Sequence, residues 1–140
     1  MKIIVGVDGS EQSSRAVEWC ARHAGALGGE VIAVHAIDLA VVVSPMSSYV
    51  PLPQFTDIDL DRLREVVTTR WCAALKEAKV PFEVVLQETD PALAIMAVAK
   101  AESADLVVTG RRGRGGAELV LGSTTHALTH HLNRPLVIVP

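Results

Sequence analysis

A chain of 140 residues, 49% of them hydrophobic and with a formal net charge of -3, is long enough for one domain with a real core and too apolar to be a disordered segment. That charge excludes the strong pull toward nucleic acid that a basic domain exerts, so no nucleic-acid partner is expected. No apolar run reaches the ~18 residues of a membrane span, and the opening run Ile3–Val7 is short and breaks at Asp8-Gly9-Ser10, so no membrane partner and no signal peptide are read and a cytoplasmic location is expected.

Lys2–Val7 is apolar and β-branched, and reads as a buried first strand. Ser10 is a good helix N-cap; Ala16, Val17, Cys20, Ala24 and Leu27 follow at helical spacing, and Gly28-Gly29 stops the helix. Glu30–Ile37 is the second strand. Asp38–Thr56 breaks the rhythm with Pro45, Pro51, Pro53 and an apolar patch at Leu39–Val43. A loop this long is either functional or an inert insertion, and nothing local decides between them. Leu60, Leu63, Val66, Val67, Trp71, Ala74, Leu75 and Ala78 mark one face of a long helix. Phe82–Gln87 is the third strand. Asp90-Pro91 caps a helix running to about Ser103 that is apolar almost all round, so its buried face cannot be resolved from periodicity. Asp105–Thr109 is the fourth strand, His126–Leu132 a last helix, and Leu136–Val139, beyond the breakers Asn133 and Pro135, the fifth strand. Alternating strands and helices predict an α/β fold: a single domain with a parallel sheet, helices on both faces and right-handed crossovers. Cys20 and Cys72 fall in helix-like segments without metal-ligand spacing, and read as buried reduced thiols.

The stretch Thr109–Thr124, TGRRGRGGAELVLGST, carries the chemistry. It leaves a strand, passes through Gly110, Gly113, Gly115, Gly116 and Gly122, and enters a helix at Ser123-Thr124. Glycines allow close backbone approach to a ligand. A helix start offers N–H groups and the positive end of its dipole to an anion. Arg111, Arg112 and Arg114 add positive charge. This is a candidate phosphate cradle. It is not a Walker loop, because no Lys precedes Ser123. It is not the G-x-G-x-x-G dinucleotide fingerprint either, and it follows the fourth strand rather than the first.

Gly110-x2-Gly113 and Gly122-Ser123, with the opening IIVGVDGS at Ile3–Ser10, AVHAID at Ala33–Asp38 and the closing PLVIVP at Pro135–Pro140, resemble the universal stress protein family over the whole chain. Nucleotide-binding members of that family carry G-x2-G-x9-G-[ST]. Here the spacer Arg114–Leu121 is one residue shorter. The resemblance implies a three-layer, Rossmann-like domain with a five-stranded parallel sheet in the order 3-2-1-4-5. It implies ATP bound at the carboxyl ends of strands one and four. The nucleotide would be held by Gly6, Val7, Asp8, Ala36, Thr109, Gly110, Arg112, Gly113, Gly122, Ser123 and Thr124. Asp8 would reach Mg²⁺ through the Mg-nucleotide, and Ala36 would serve through its backbone. The resemblance further implies a homodimer paired through Leu136, Val137, Ile138 and Val139.

Alternatives stay open at several residues. Asp8-Gly9 is also a common turn pair. Ser123 and Thr124 are also plain helix-start residues. Arg111 and Arg114 read as a solvated face. His126 and His130 lie one helical turn apart but lack the H-E-x-x-H glutamate and a third ligand, so no metal site is read. His23 and His35 read as structural. No G-x-S-x-G elbow, paired carboxylates or Cys/His pair can be assembled, so no enzyme is expected beyond at most slow ATP hydrolysis. The competing readings are an ATP-binding regulatory module of a stress response, a nucleotide-free dimeric interaction module of the same family, and a cyclic-AMP binder.

Overall fold

The computed structural model describes residues 1–37, 57–112 and 121–140, with backbone alone for 57–59. The loop Asp38–Thr56, Gly113 and spacer residues 114–120 lie outside the described residues. The elements run β1 (Lys2–Gly6), α1 (Glu11–His23), β2 (Glu30–Ala36), α2 (Asp57–Val66), a π-helical turn (Val67–Trp71), α3 (Ala73–Glu77), β3 (Phe82–Gln87), α4 (Pro91–Ala101), β4 (Leu106–Gly110), α5 (Ser123–His131) and β5 (Leu136–Val139).

The five strands form one parallel sheet in the order β3-β2-β1-β4-β5, as the resemblance implied. Strand alternation divides the core in two. Ile3 and Val5 of β1 pack with Val17 and Cys20 of α1, Val67 of the π turn and Leu75 of α3. Ile4 faces the opposite side, with Ile95 and Val98 of α4 and Leu128 of α5. Both sides of β1 are therefore sealed from water, which is why its sequence is a continuous apolar run rather than an alternating one.

Local signals set the helix ends. The Ser10 hydroxyl accepts from the Ser13 N–H at 3.2 Å, and Asp90 Oδ1 accepts from Ala92 and Leu93 N–H at 2.9 and 3.1 Å. Both are N-caps of the expected kind. Burial also resolves α4: Ala92, Ala94, Ile95, Val98 and Ala99 face inward, whereas Leu93 is 55% exposed.

Three details differ from the sequence reading. The long helix expected through Leu60–Ala78 is broken by the π turn and by Cys72, whose φ of -102° and ψ of 15° leave helical geometry. Within the π turn, the Thr68 and Thr69 hydroxyls donate to the carbonyls of Arg64 and Glu65 at 2.8 and 2.7 Å. Such back-bonding by threonine loosens and bends a helix. The first helix ends at His23, short of the stop expected at Gly28-Gly29, and residues 24–28 form turns instead. The helix after Asp90 ends at Ala101, because Ser103 turns the chain at φ +52°.

Candidate functional site

From β1 the chain winds outward through β2 to β3, and from β4 outward to β5 on the other side. The winding thus reverses between β1 and β4, and a crevice opens beyond their carboxyl ends, where open α/β sheets place their ligands. A cleft lies there. Its wall takes Gly6, Val7 and Asp8 from the end of β1, Ser13 from α1 and Val34, His35 and Ala36 from the end of β2. Pro91 and Ile95 of α4, Thr109, Gly110 and Arg112 at the end of β4, and Thr124 and Thr125 of α5 complete it.

Asp8 sits in a tight turn. Its Oδ1 accepts from the Ser10 N–H at 2.9 Å, and its own N–H donates to Ser13 Oγ at 3.4 Å. The carboxylate therefore forms an Asx-type turn and also borders the cleft, so the turn and cleft readings of this residue hold together. Gly9 needs its glycine: φ is +76°, and a Cβ there would stand 2.6 Å from the Trp71 indole.

At the other side, a Cβ on Gly110 would stand 2.6 Å from the Gln12 carbonyl oxygen. Close packing of β4 on the first turn of α1 is thus reason enough for this glycine. The Thr125 hydroxyl donates to the Gly110 carbonyl at 2.8 Å, and the Thr109 hydroxyl to the same oxygen at 3.2 Å. The Arg111 N–H donates to Val139 O at 2.7 Å, and the Gly122 N–H to Arg111 O at 3.1 Å. The last pair joins the chain leaving β4 to the chain entering α5.

Eight of the eleven residues named from the sequence border this one cleft: Gly6, Val7, Asp8, Ala36, Thr109, Gly110, Arg112 and Thr124. Gly122 and Ser123 are not among its lining; Gly122 is the residue before α5, its N–H turned to Arg111, and Ser123 is exposed at the first helical position. Gly113 falls outside the described residues. Sequence reasoning missed Ser13, Val34, His35, Pro91, Ile95 and Thr125. A usable signal existed for Thr125, third in the Ser-Thr-Thr run at the helix start, and for Pro91, which opens the helix after β3. His35 gave none, since only the register of β2 sets it at the rim. No group of three or more His, Cys, Asp or Glu side chains suited to a metal ion occurs among the described residues. His126 and His130 are near neighbours, with ring centroids 4.7 Å apart.

A sheet wound both ways from a central strand, with a cleft at the reversal, defines a doubly wound α/β domain. The model of the universal stress protein family matches residues 1–140, and the chain belongs to that family. A universal stress protein of Thermus aquaticus is 32% identical over 139 residues, covering 98% of this chain and 96% of its own. The Mycobacterium tuberculosis universal stress protein Rv2005c is 34% identical over 139 residues, and there the chain spans 44% of the relative's length. Among solved structures, the Lactobacillus plantarum protein UspA superposes with a TM-score of 0.80 at 20% identity, over 100% of this chain and 97% of that one. An Archaeoglobus fulgidus universal stress protein in complex with dAMP gives 0.72 at 20% identity, over 100% and 98% of the two chains. A universal stress protein in complex with cAMP gives 0.71 at 22%, over 99% and 95%.

Proposed function

We propose that this chain is a binding module for adenine nucleotide, ATP with Mg²⁺, held in the cleft at the ends of β1 and β4 and serving regulation in a stress response. The observation that carries this reading is the convergence of an acidic turn, Asp8, and the Thr109–Arg112 exit of β4 with the first turn of α5 on one cleft. The dAMP and cAMP complexes of related folds support it.

The residues divide the work by chemistry. The N–H groups at the start of α5 have no acceptor within the helix and carry its positive dipole end, which suits phosphate oxygens. Arg112 adds a planar cation able to grip phosphate through two parallel hydrogen bonds. Gly113, Gly122 and Ser123 extend this cradle in the reading. On the far side, Val34, Ile95 and Pro91 give an apolar wall for a base, and the backbone of Ala36 offers it hydrogen bonds. Mg²⁺ in nucleotide sites keeps most of its waters and takes few protein ligands, so a single carboxylate, Asp8, fits that role. The shortened spacer is compatible with a phosphate site, because the Gly122–Arg111 hydrogen bond already joins the ends it must bridge.

Turnover is absent or slow in this reading. Phosphoryl transfer requires a residue that orients the attacking water, and among the described residues of the cleft we assign none to that task. Calorimetric titration with Mg-ATP, ADP and cyclic AMP tests the binding. Saturable binding of Mg-ATP is expected; no heat and no thermal shift up to millimolar ligand would overturn it. Tighter binding of cyclic AMP than of ATP would favour a single-phosphate ligand. A hydrolysis rate on the order of 1 s⁻¹ or more would make the protein an ordinary enzyme instead.

A further inference from the structure

We propose that His35 is a positioning residue for this site, holding the turn that presents Asp8 to the cleft, with Trp71 as its backing. The proposal rests on the nucleotide reading above. A carbonyl can only accept, so the 2.8 Å contact between His35 Nδ1 and Val7 O is an N–H donated by the imidazole. Val7 in turn donates its N–H to Val34 O at 2.9 Å, beside His35 on the same strand. The residue just before Asp8 is thus tied to the end of β2 through both its backbone groups. Behind this pair stands Trp71. Its indole meets the His35 ring edge-on, centroids 5.0 Å apart at 81°, and also fills the space where a side chain at Gly9 would lie.

The origin of Trp71 strengthens the argument. It closes the π turn that interrupts the helix running from α2 to α3. Single π turns shift the faces of a helix and recur at functional sites. In an unbroken α-helix every residue after Val67 would be rotated relative to its present direction, and the indole would leave the Gly9–His35 corner. One irregular turn, one glycine with positive φ and one histidine therefore converge on the four residues Val7–Ser10. Asp8 is oriented from within by Ser10 and Ser13, and its flanking residues are held by His35 at Val7 and by Trp71 at Gly9.

The test uses His35→Leu, which removes the donor and keeps bulk, and His35→Asn, whose Nδ2 replaces Nδ1. Both are made in a Trp19→Phe background, so that Trp71 is the remaining tryptophan emitter. Mg-ATP titrations by calorimetry and by emission are combined with amide exchange of Asp8–Ser10 in the ligand-free protein. For His35→Leu we expect affinity about tenfold weaker, faster exchange at Asp8–Ser10 and a reduced emission change on binding; His35→Asn should recover most of all three. Unchanged affinity in His35→Leu, or no recovery in His35→Asn, overturns the positioning role. If the parent protein takes no Mg-ATP, it is the nucleotide reading that fails. The exchange data then decide alone: unchanged protection in His35→Leu overturns the clamp, and lost protection restored by Asn sustains it.

Discussion

Gly110 leaves no space for a methyl group, because the atoms that would meet it are the backbone C and O of Gln12, which cannot swing aside. Gly110→Ala should therefore force β4 and α1 apart and cost roughly 1–3 kcal/mol, as other overpacking changes do. Chemical denaturation of the variant checks this, and a loss under a few tenths of a kcal/mol would contradict it. Gly6→Ala should cost less, since the nearest atom is the mobile tip of Ile95, 2.7 Å away. The two cysteines give a second prediction at this scale. Burial pushes both thiols from an ordinary 9 up to about 12, and for Cys20 the neighbouring Cys72 adds to the rise. Above pH 9 the unfolded chain loses these protons while the folded chain keeps them. The native state then binds more protons than the unfolded one, so stability is full below about pH 9 and falls as pH climbs toward 12. The slope is up to about 1.4 kcal/mol per pH unit per thiol. Cys20→Ala removes one of the two contributions. Urea titrations at pH 7.5 and 10.5 should find its stability declining less with pH than that of the parent, and parallel declines would refute the assignment.

At the scale of elements, the start signals at Ser10, Asp90 and Gly122-Ser123 acted where the sequence placed them, whereas α1 stops at His23, short of Gly28-Gly29. Asp90 caps α4 through two N–H groups, so Asp90→Ala should cost about 1 kcal/mol without altering the sheet; a melting temperature equal to the parent's would disprove it. The five strands were legible because each is a short apolar run bounded by turn residues, and their bounds moved by only a residue or so. The π turn was not legible. The face Leu60–Ala78 has regular spacing in the sequence, and the interruption follows from threonine back-bonding and tertiary docking of Trp71, neither of which leaves a periodic mark. The start of α5 was legible at Ser123-Thr124, although Ser123-Thr124-Thr125 is polar and the apolar period appears only after the helix has begun. The cleft lining was legible at Asp8 and Gly110, where a turn and a close backbone approach restrict the residue type. It was illegible at Val34 and His35, where only sheet register decides which side chain reaches the cleft.

For the molecule as a whole, β5 forms one edge of the sheet, paired to β4 from Val107↔Leu136 to Gly110↔Val139. Leu136, Val137 and Ile138 remain partly exposed there. An apolar edge strand invites pairing with another strand, and we propose that these residues and Val139 join two copies into a homodimer. Light scattering at micromolar concentration should give twice the chain mass, and a monomer mass would refute the pairing. The other edge is β3, and the centre is β1, the first strand of the sheet in chain order and the most enclosed. Its partner on one side, β2, follows within about thirty residues, since Lys2 pairs with Glu30. Its partner on the other side arrives far later: Lys2 N–H binds Asp105 Oδ2 across 103 positions of sequence. A nascent chain released up to residue 104 would carry β1 as a bare apolar edge, unable to seal either its hydrogen bonds or the cleft. The order of synthesis thus runs from the middle of the sheet outward, and the protein is most exposed to aggregation just before β4 emerges.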